Sequence, residues 1–549
     1  MLLALLLALP APAPQQPAAA PLRVSLPANA PARCGTPYLV VAVDLGDALG
    51  DTLGNTLGNT LGNGERDAGY RRAATAAAAF HHADVVPWNG TDFPALAALL
   101  RARTPRDVLF VLRPDTLDLV FHRRVLLASA AVDDDPLPDF AFGYLTAEDG
   151  ASCEALWRRT QALHEHTPLR GTWVQASVCT ADKSFRYANG TSPLAQAAGF
   201  TGPHFYFATG DGDMQSLVDQ ALTVAARAEV VEFTGCGDPQ GIWLFSDRRN
   251  MQREKHWSYA PERVGEDPEH EMPRLLAKRF RTASFANAIV WSGTCHSGAV
   301  DKVWVEGDIV STFGRTEVAT VHRLAPTDSL ALSWLAAGAV ALCVPIGANH
   351  GLVVTMETDV ALERGACLGD AVKSTWDDVF LAADGALALD LPVLGEPHRH
   401  GENVMQGGGA NRILIGDPAL RPFAAAANPA ETTRVEHLEG ERHGCRVTVQ
   451  RAAGFLARGW DMFGASRPDD WRITARVDLA AAGVAAAKQL EVTVDARDAK
   501  GEPMPYTLRR AVIEDHDGVR FLHLQANAPR AAVENKLVTA VFTVIARDG

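Results

Sequence analysis

Lysine is nearly missing from this chain: of 51 basic residues only 8 are Lys, and the remainder are Arg, as a GC-rich coding bias produces. No long basic run and no basic patch interleaved with aromatics offsets the net charge of −14, so a nucleic-acid partner is not expected. The eight cysteines, at 34, 153, 179, 236, 295, 343, 367 and 445, form no CxxC pair and no zinc-ribbon spacing. Also missing are a GxSxG elbow, an HExxH helix and a GxxxxGK[ST] loop, which removes the usual signatures of serine hydrolases, zinc peptidases and nucleotide binders. His164-Glu165-His166 and His270-Glu271 lack the second half of the zinc motif. No metal or cofactor is therefore expected. Long apolar runs are scarce as well: residues 330–346 are apolar but interrupted by Ser333, Gly338 and Pro345, so no integral membrane span is expected. Nothing in the sequence fixes an oligomeric state.

What is present is a chain of 549 residues, 47% hydrophobic and 21% charged, which reads as a soluble globular protein of about three domains. Residues 1–9 are almost wholly apolar, and the Pro/Ala/Gln stretch to about residue 20 supplies small residues for a signal peptidase. Residues 1–20 thus read as a signal peptide and the protein as exported: extracellular, at the cell surface or periplasmic. No Lys or Arg precedes the apolar core, and the competing reading is Ala/Leu-rich coding sequence from a misassigned start.

Residues 38–43 (YLVVAV) have the form of an interior parallel strand. Five tetrapeptides, LGDA-LGDT-LGNT-LGNT-LGNG, occupy 45–64; Gly at every fourth position disfavours a helix, and the run reads as an insertion in a surface loop. Helical and extended patterns then alternate: helix over 73–82, strand over 84–86, helix over 93–103, strand over 107–112 and helix over 148–164. Further strands are expected at 172–178, 229–233, 288–292, 340–346 and 412–415, with helices at 215–228, 273–283, 328–337 and 367–382. This is the βαβ pattern of a doubly wound, mostly parallel α/β sheet. From about 432 short alternating runs take over, predicting a C-terminal β-sandwich. The expected organisation is an N-terminal α/β subdomain at 37–150 with the 45–64 insertion, a second α/β subdomain at 151–425 and the sandwich at 432–549.

In such a sheet function gathers in loops leaving the carboxyl ends of the strands. Two of these loops carry a cysteine among small residues: Phe233-Thr234-Gly235-Cys236-Gly237 and Ser292-Gly293-Thr294-Cys295-His296-Ser297-Gly298. A thiol there is exposed, and backbone N–H groups are available to an oxyanion, as acyl transfer requires. At these residues the chain resembles the gingipain-type cysteine peptidases, with their caspase-like fold. In that family one strand ends in an aromatic-x-Gly-His-Gly loop with the catalytic His, and the next in a small-residue loop with the nucleophilic Cys. A terminal Gly-Asp-Pro-x-Leu-Arg follows. The resemblance makes Cys295 the nucleophile and puts Gly293, Thr294 and His296 in the oxyanion loop. Gly416-Asp417-Pro418-Ala419-Leu420-Arg421 matches the closing motif. Residues 138–145 (PDFAFGYL) resemble the end of the first subdomain, with Tyr144 where Arg is usual. The resemblance spans roughly 37–424 and implies thiol-dependent hydrolysis of a protein or peptide substrate.

Cys236 stands where the family carries its histidine. A thiol is a poor proton acceptor for a second thiol and a poor donor to a leaving amine. Three readings stay open. The base has moved to His350, which leaves the same edge one strand further on. Alternatively the site is inactive and the fold is a secreted or surface binding module. In the third, Cys236 and Cys295 form a disulfide or, with His296 or His350, hold a metal. Of the other cysteines, Cys343 reads as a small buried hydrophobe, and a disulfide between Cys153 and Cys179 is open.

Overall fold

The structure is a computed structural model. It describes residues 21–28, 36–45, 64–169, 173–177, 204–206, 214–234, 237–243, 274–285, 287–305, 317–318, 320–347, 356–382, 391, 393–398, 409–427, 429, 431–438, 443–451, 470–529 and 537–547. The leader at 1–20 and nearly all of the tetrapeptide run lie outside them.

After β1 (Leu22–Ser25), the apolar runs become the strands of one ten-stranded sheet. These are β2 (Thr36–Val43), β3 (Asp84–Trp88), β4 (Pro105–Val111), β5 (Ala141–Leu145), β6 (Trp173–Ser177), β7 (His204–Tyr206), β8 (Val230–Thr234), β9 (Ile289–Ser292), β10 (Ala341–Pro345) and β11 (Arg412–Ile415). Their spatial order is β3-β2-β4-β5-β11-β10-β9-β8-β6-β7. Pairing is parallel within β3-β2-β4-β5 and within β10-β9-β8-β6-β7. β11 runs antiparallel to β10 and joins β5 through a single pair, Ile415 with Tyr144. The mostly parallel α/β sheet expected from the sequence is therefore present.

Crossovers are helical: α1 (Gly64–His81), α2 (Phe93–Arg103), α3 (Leu119–Ser129), α4 (Gly150–His166), α5 (Met214–Ala225), α6 (Leu330–Ala336), α7 (Met356–Glu363) and α8 (Leu368–Ala382). Three of them start on an aspartate whose carboxylate accepts a first-turn N–H: Asp92 from Ala95 (3.0 Å), Asp118 from Phe121 (2.8 Å) and Asp149 from Ser152 (2.7 Å). Each such cap stabilises its helix by about 1 kcal/mol. The helix expected over 273–283 is a correction. Arg274–Leu276 is extended because it pairs with Gly241–Trp243, and only Ala277–Phe280 is helical.

The C-terminal strands are β12 (Glu431–His437), β13 (Gly444–Arg451), β14 (Asp470–Asp478), β15 (Gln489–Asp498), β16 (Thr507–His516), β17 (Val519–Pro529) and β18 (Val538–Arg547). They form an antiparallel sheet of order β1-β15-β18-β13-β12 and a second of order β14-β17-β16. Val447, Leu490, Val492, Phe542 and Val544 from the first sheet share one core with Ile473, Val477, Leu522 and Leu524 from the second, as a sandwich requires. Unexpectedly, β1 belongs here: Leu22 pairs with Val492 and Ser25 with Gln489.

The sandwich docks on α8 through a buried ion network. Lys373 Nζ lies 3.0 Å from Glu514 Oε1 and 2.9 Å from Asp377, while Arg476 and His523 reach Glu514 Oε2 at 2.8 and 2.6 Å.

Candidate functional site

β9, Ile-Val-Trp-Ser, is buried at every residue and flanked by β8 and β10, so its carboxyl end is fixed in place by its neighbours. The chain turns there through residues 293–299. Ser292 Oγ accepts the Thr294 N–H at 3.0 Å, and the Gly293 N–H continues the ladder onto Phe233 O at 3.0 Å. The His296 N–H donates to Gly347 O at 2.8 Å and the Gly298 N–H to Pro345 O at 2.8 Å, stitching the turn to the end of β10. His296 adopts φ +55°, a left-handed conformation uncommon for a residue with a side chain. A side chain at Gly298 would meet Val344, Ile413 and the Pro345 carbonyl, so the turn approaches the sheet as closely as glycine allows.

Cys295 sits in this turn, three residues beyond Ser292, and is only 8% exposed. Cys236 and His350 lie outside the described residues, although the segments leading to them do not. Ser292 pairs with Phe233 across β9 and β8, and β8 ends at Thr234. Gly237, the residue after Cys236, packs directly against the Thr294 methyl group. The N–H groups of Gly293, Thr294 and His296 all have intramolecular acceptors. Thr294 Oγ1 and Ser297 Oγ are buried and make no hydrogen bond among the described residues.

Residues that the motifs did not single out support the turn. Arg412, fully buried at the start of β11, extends its guanidinium to Ser292 O (3.4 Å) and Cys343 O (3.3 Å). This puts a buried positive charge beneath the strand end that bears Cys295. Asn411 accepts the Ile346 N–H at 2.8 Å through its carbonyl oxygen, and its side-chain oxygen accepts the Arg123 guanidinium at 2.9 Å. Lys302 reaches Asp115 O at 2.6 Å, tying the 293–302 segment to the loop after β4. The position of Arg412 at the head of the apolar run Arg-Ile-Leu-Ile gave no sign of this burial, since an Arg there is ordinarily exposed.

The closing motif lies at the other end of β11. Asp417 is fully buried, and the preceding Gly416 has φ +146°, a backbone favourable only to glycine. Tyr144, in the position usual for Arg, is buried with its hydroxyl 2.9 Å from His122 Nδ1. Cys343 is buried in mid-strand, as its apolar run predicts, and burial pushes its thiol up to about 12. Cys153 is a free, buried thiol 4.0 Å from Leu145 O, and Cys179 lies outside the described residues. A cleft of about 450 Å³ between α8 and the sandwich is lined by charges of both signs, including Arg364, Asp370 and Arg451. Neither Cys295 nor its loop lines it.

No helix among the described residues is long and apolar enough to cross a membrane. No protein-family model matches the chain, and no curated protein sequence matches it. Among solved structures, the Arg-specific cysteine proteinase gingipain R (RgpB) aligns over 94% of this chain and 98% of its own, at 12% identity and a TM-score of 0.39. The complex of Porphyromonas gingivalis RgpB pro- and mature domains aligns over 93% and 97%, at 11% identity and 0.39. A structure described only as a protease aligns over 91% and 96%, at 10% identity and 0.37.

Proposed function

We propose that the chain is an exported cysteine-type peptidase of the gingipain type, acting on protein or peptide substrates with Cys295 as nucleophile. The Cys295 sulfur attacks the scissile carbonyl carbon, the peptide C–N bond breaks as the leaving amine takes up a proton, and water hydrolyses the resulting thioester to restore the thiol. The observation that carries this reading is the position of Cys295, in a tight turn at the carboxyl end of an interior strand, next to Thr294, whose methyl group packs against Gly237, the residue that follows Cys236. We assign the base to His350, five residues beyond β10, because Cys236 occupies the place of the family's histidine. The oxyanion falls to the 293–296 loop, whose His296–Gly347 hydrogen bond opens when substrate enters.

A second reading, a binding module that has lost peptidase activity, draws on the 8% exposure of Cys295 and on the engaged N–H groups around it. Alkylation with iodoacetamide, followed by mass spectrometry at each cysteine over a range of pH, separates the two. The peptidase reading predicts that Cys295 reacts at least tenfold faster than Cys343 or Cys153, with a pH profile that His350→Ala abolishes. Labelling of Cys295 no faster than that of an ordinary thiol, or only after reduction, leaves the binding module. Cys236→His adds a gain-of-function arm: increased hydrolysis identifies a dyad weakened at that position.

A further inference from the structure

Asp417 gathers two histidines that the linear motifs keep apart. Its Oδ1 accepts the Tyr38 hydroxyl at 2.8 Å and the Ala419 N–H at 3.0 Å. Its Oδ2 faces His81 Nε2 at 2.7 Å and His164 Nε2 at 2.8 Å. The three ligand-type atoms, His81 Nε2, His164 Nε2 and a carboxylate oxygen, all lie within 4.8 Å of one another. Each comes from a separate element: the end of α1, the last turn of α4 and the residues after β11. Asp417 is fully buried, and the His81 ring stacks on Tyr38 with centroids 3.8 Å apart and planes 12° from parallel.

We propose that His81, His164 and Asp417 bind one divalent transition-metal ion of the zinc class. Two imidazole nitrogens and one carboxylate oxygen suit zinc or its neighbours, whereas calcium and magnesium call for more oxygen ligands. Zinc binds such atoms at about 2.0–2.2 Å, which on a tetrahedron separates them by about 3.3 Å. The present contacts open by about half an ångström to admit the ion. Tyr38 and the Ala419 N–H hold the non-ligating oxygen, the outer support that fixes a ligating carboxylate. The histidine side chains, 12% and 16% exposed, leave an approach from solvent for the ion and a fourth position for water. Arg412 begins β11 and Asp417 follows its end, five residues on and about 16 Å away along an extended chain, so the proposed ion is remote from the Cys295 turn.

Titration of the full chain with Co²⁺, a spectroscopic substitute for Zn²⁺, tests the assignment. One equivalent is expected to give visible d–d absorption without the ultraviolet thiolate-to-cobalt band that cysteine ligation produces, and Zn²⁺ is expected to compete it away and raise Tm. His81→Gln and His164→Gln keep an N–H to donate to Asp417, so the fold persists while the absorbing equivalent is lost. Tyr38→Phe is expected to weaken binding about 10- to 100-fold without abolishing it. If the wild-type chain shows no visible band and no Zn²⁺-dependent rise in Tm, or if the two Gln variants bind as the wild type does, the cluster is an ion-pair network and the proposal is overturned.

Discussion

Gly237 and Thr294 are packed so closely that a methyl group at 237 would overlap both the Thr294 Cγ2 and the Gly241 carbonyl. The two residues flank the two cysteines of the sheet edge, one following Cys236 and the other preceding Cys295. Gly237→Ala is therefore expected to cost about 1–3 kcal/mol and to change the labelling rate of Cys295. Thr294→Ser removes the methyl, so the double variant should lose less than the sum of the singles. Additivity in a double-mutant cycle by urea denaturation would argue against the contact.

Asp417 should be a source of acid sensitivity. Burial alone would raise its carboxyl, but the hydrogen bonds and charges of His164 and His81 outweigh that and hold it well below the usual carboxylate range. With the folded value depressed, its contribution is complete above the unfolded value of about 3.9 and is lost as pH falls below it. Asp417→Asn is expected to lower stability by about 3–5 kcal/mol at neutral pH. The gap between variant and wild type in Tm should narrow below about pH 4; a constant gap from pH 7 to 3 would contradict the account.

His122 acts at milder acidity. Burial, helped by the Arg123 charge, pushes its imidazole down to about 3, and its two nitrogens are held by the Tyr144 hydroxyl and Ala410 O. The unfolded chain takes up a proton near pH 6.5 that the folded one refuses, so stability falls as pH drops from there toward 3. On the order of 3 kcal/mol should go between pH 6.5 and 4. His122→Gln should be less stable at pH 7 and show a flatter decline, read from urea midpoints at each pH.

Glu514 ties the sandwich to α8 through Lys373, its carboxylate shared with Arg476 and His523. Glu514→Gln leaves cations facing a neutral amide and is expected to cost about 3 kcal/mol. Unfolding followed separately by a probe on the sandwich and one on the α/β part should split into two transitions. Coincident transitions with an unchanged midpoint would show that the junction does not depend on this carboxylate.

The parts of the fold legible in the sequence are those dictated locally. The runs YLVVAV, DVLFVL and RILI, charged only at their first positions Asp107 and Arg412, are otherwise apolar because both faces of an interior strand are covered, and each became a strand. Residues 274–276 misled because the helical pattern there competes with pairing to Gly241–Trp243, a partner that only the tertiary fold supplies. The Cys295 turn was legible as small residues after a strand, whereas the engagement of its N–H groups depends on Phe233 in β8 and Gly347 just beyond β10. The histidine cluster was invisible for the same reason: His164-Glu165-His166 lacks a second motif half, and the partners of His164 lie far along the chain at His81 and Asp417.

The strand β1 has a consequence for how the molecule is assembled. Leu22 and Val492 are paired although 470 positions separate them, and the Pro27 carbonyl accepts the Arg520 guanidinium at 2.8 Å. The strand at 22–25 thus waits, unpaired, until the strand at 489–498 has left the ribosome, and the edge of the sandwich stays open until the two meet. A tag or fusion placed ahead of residue 21 would hang from the sandwich, not from the α/β part that follows it in sequence.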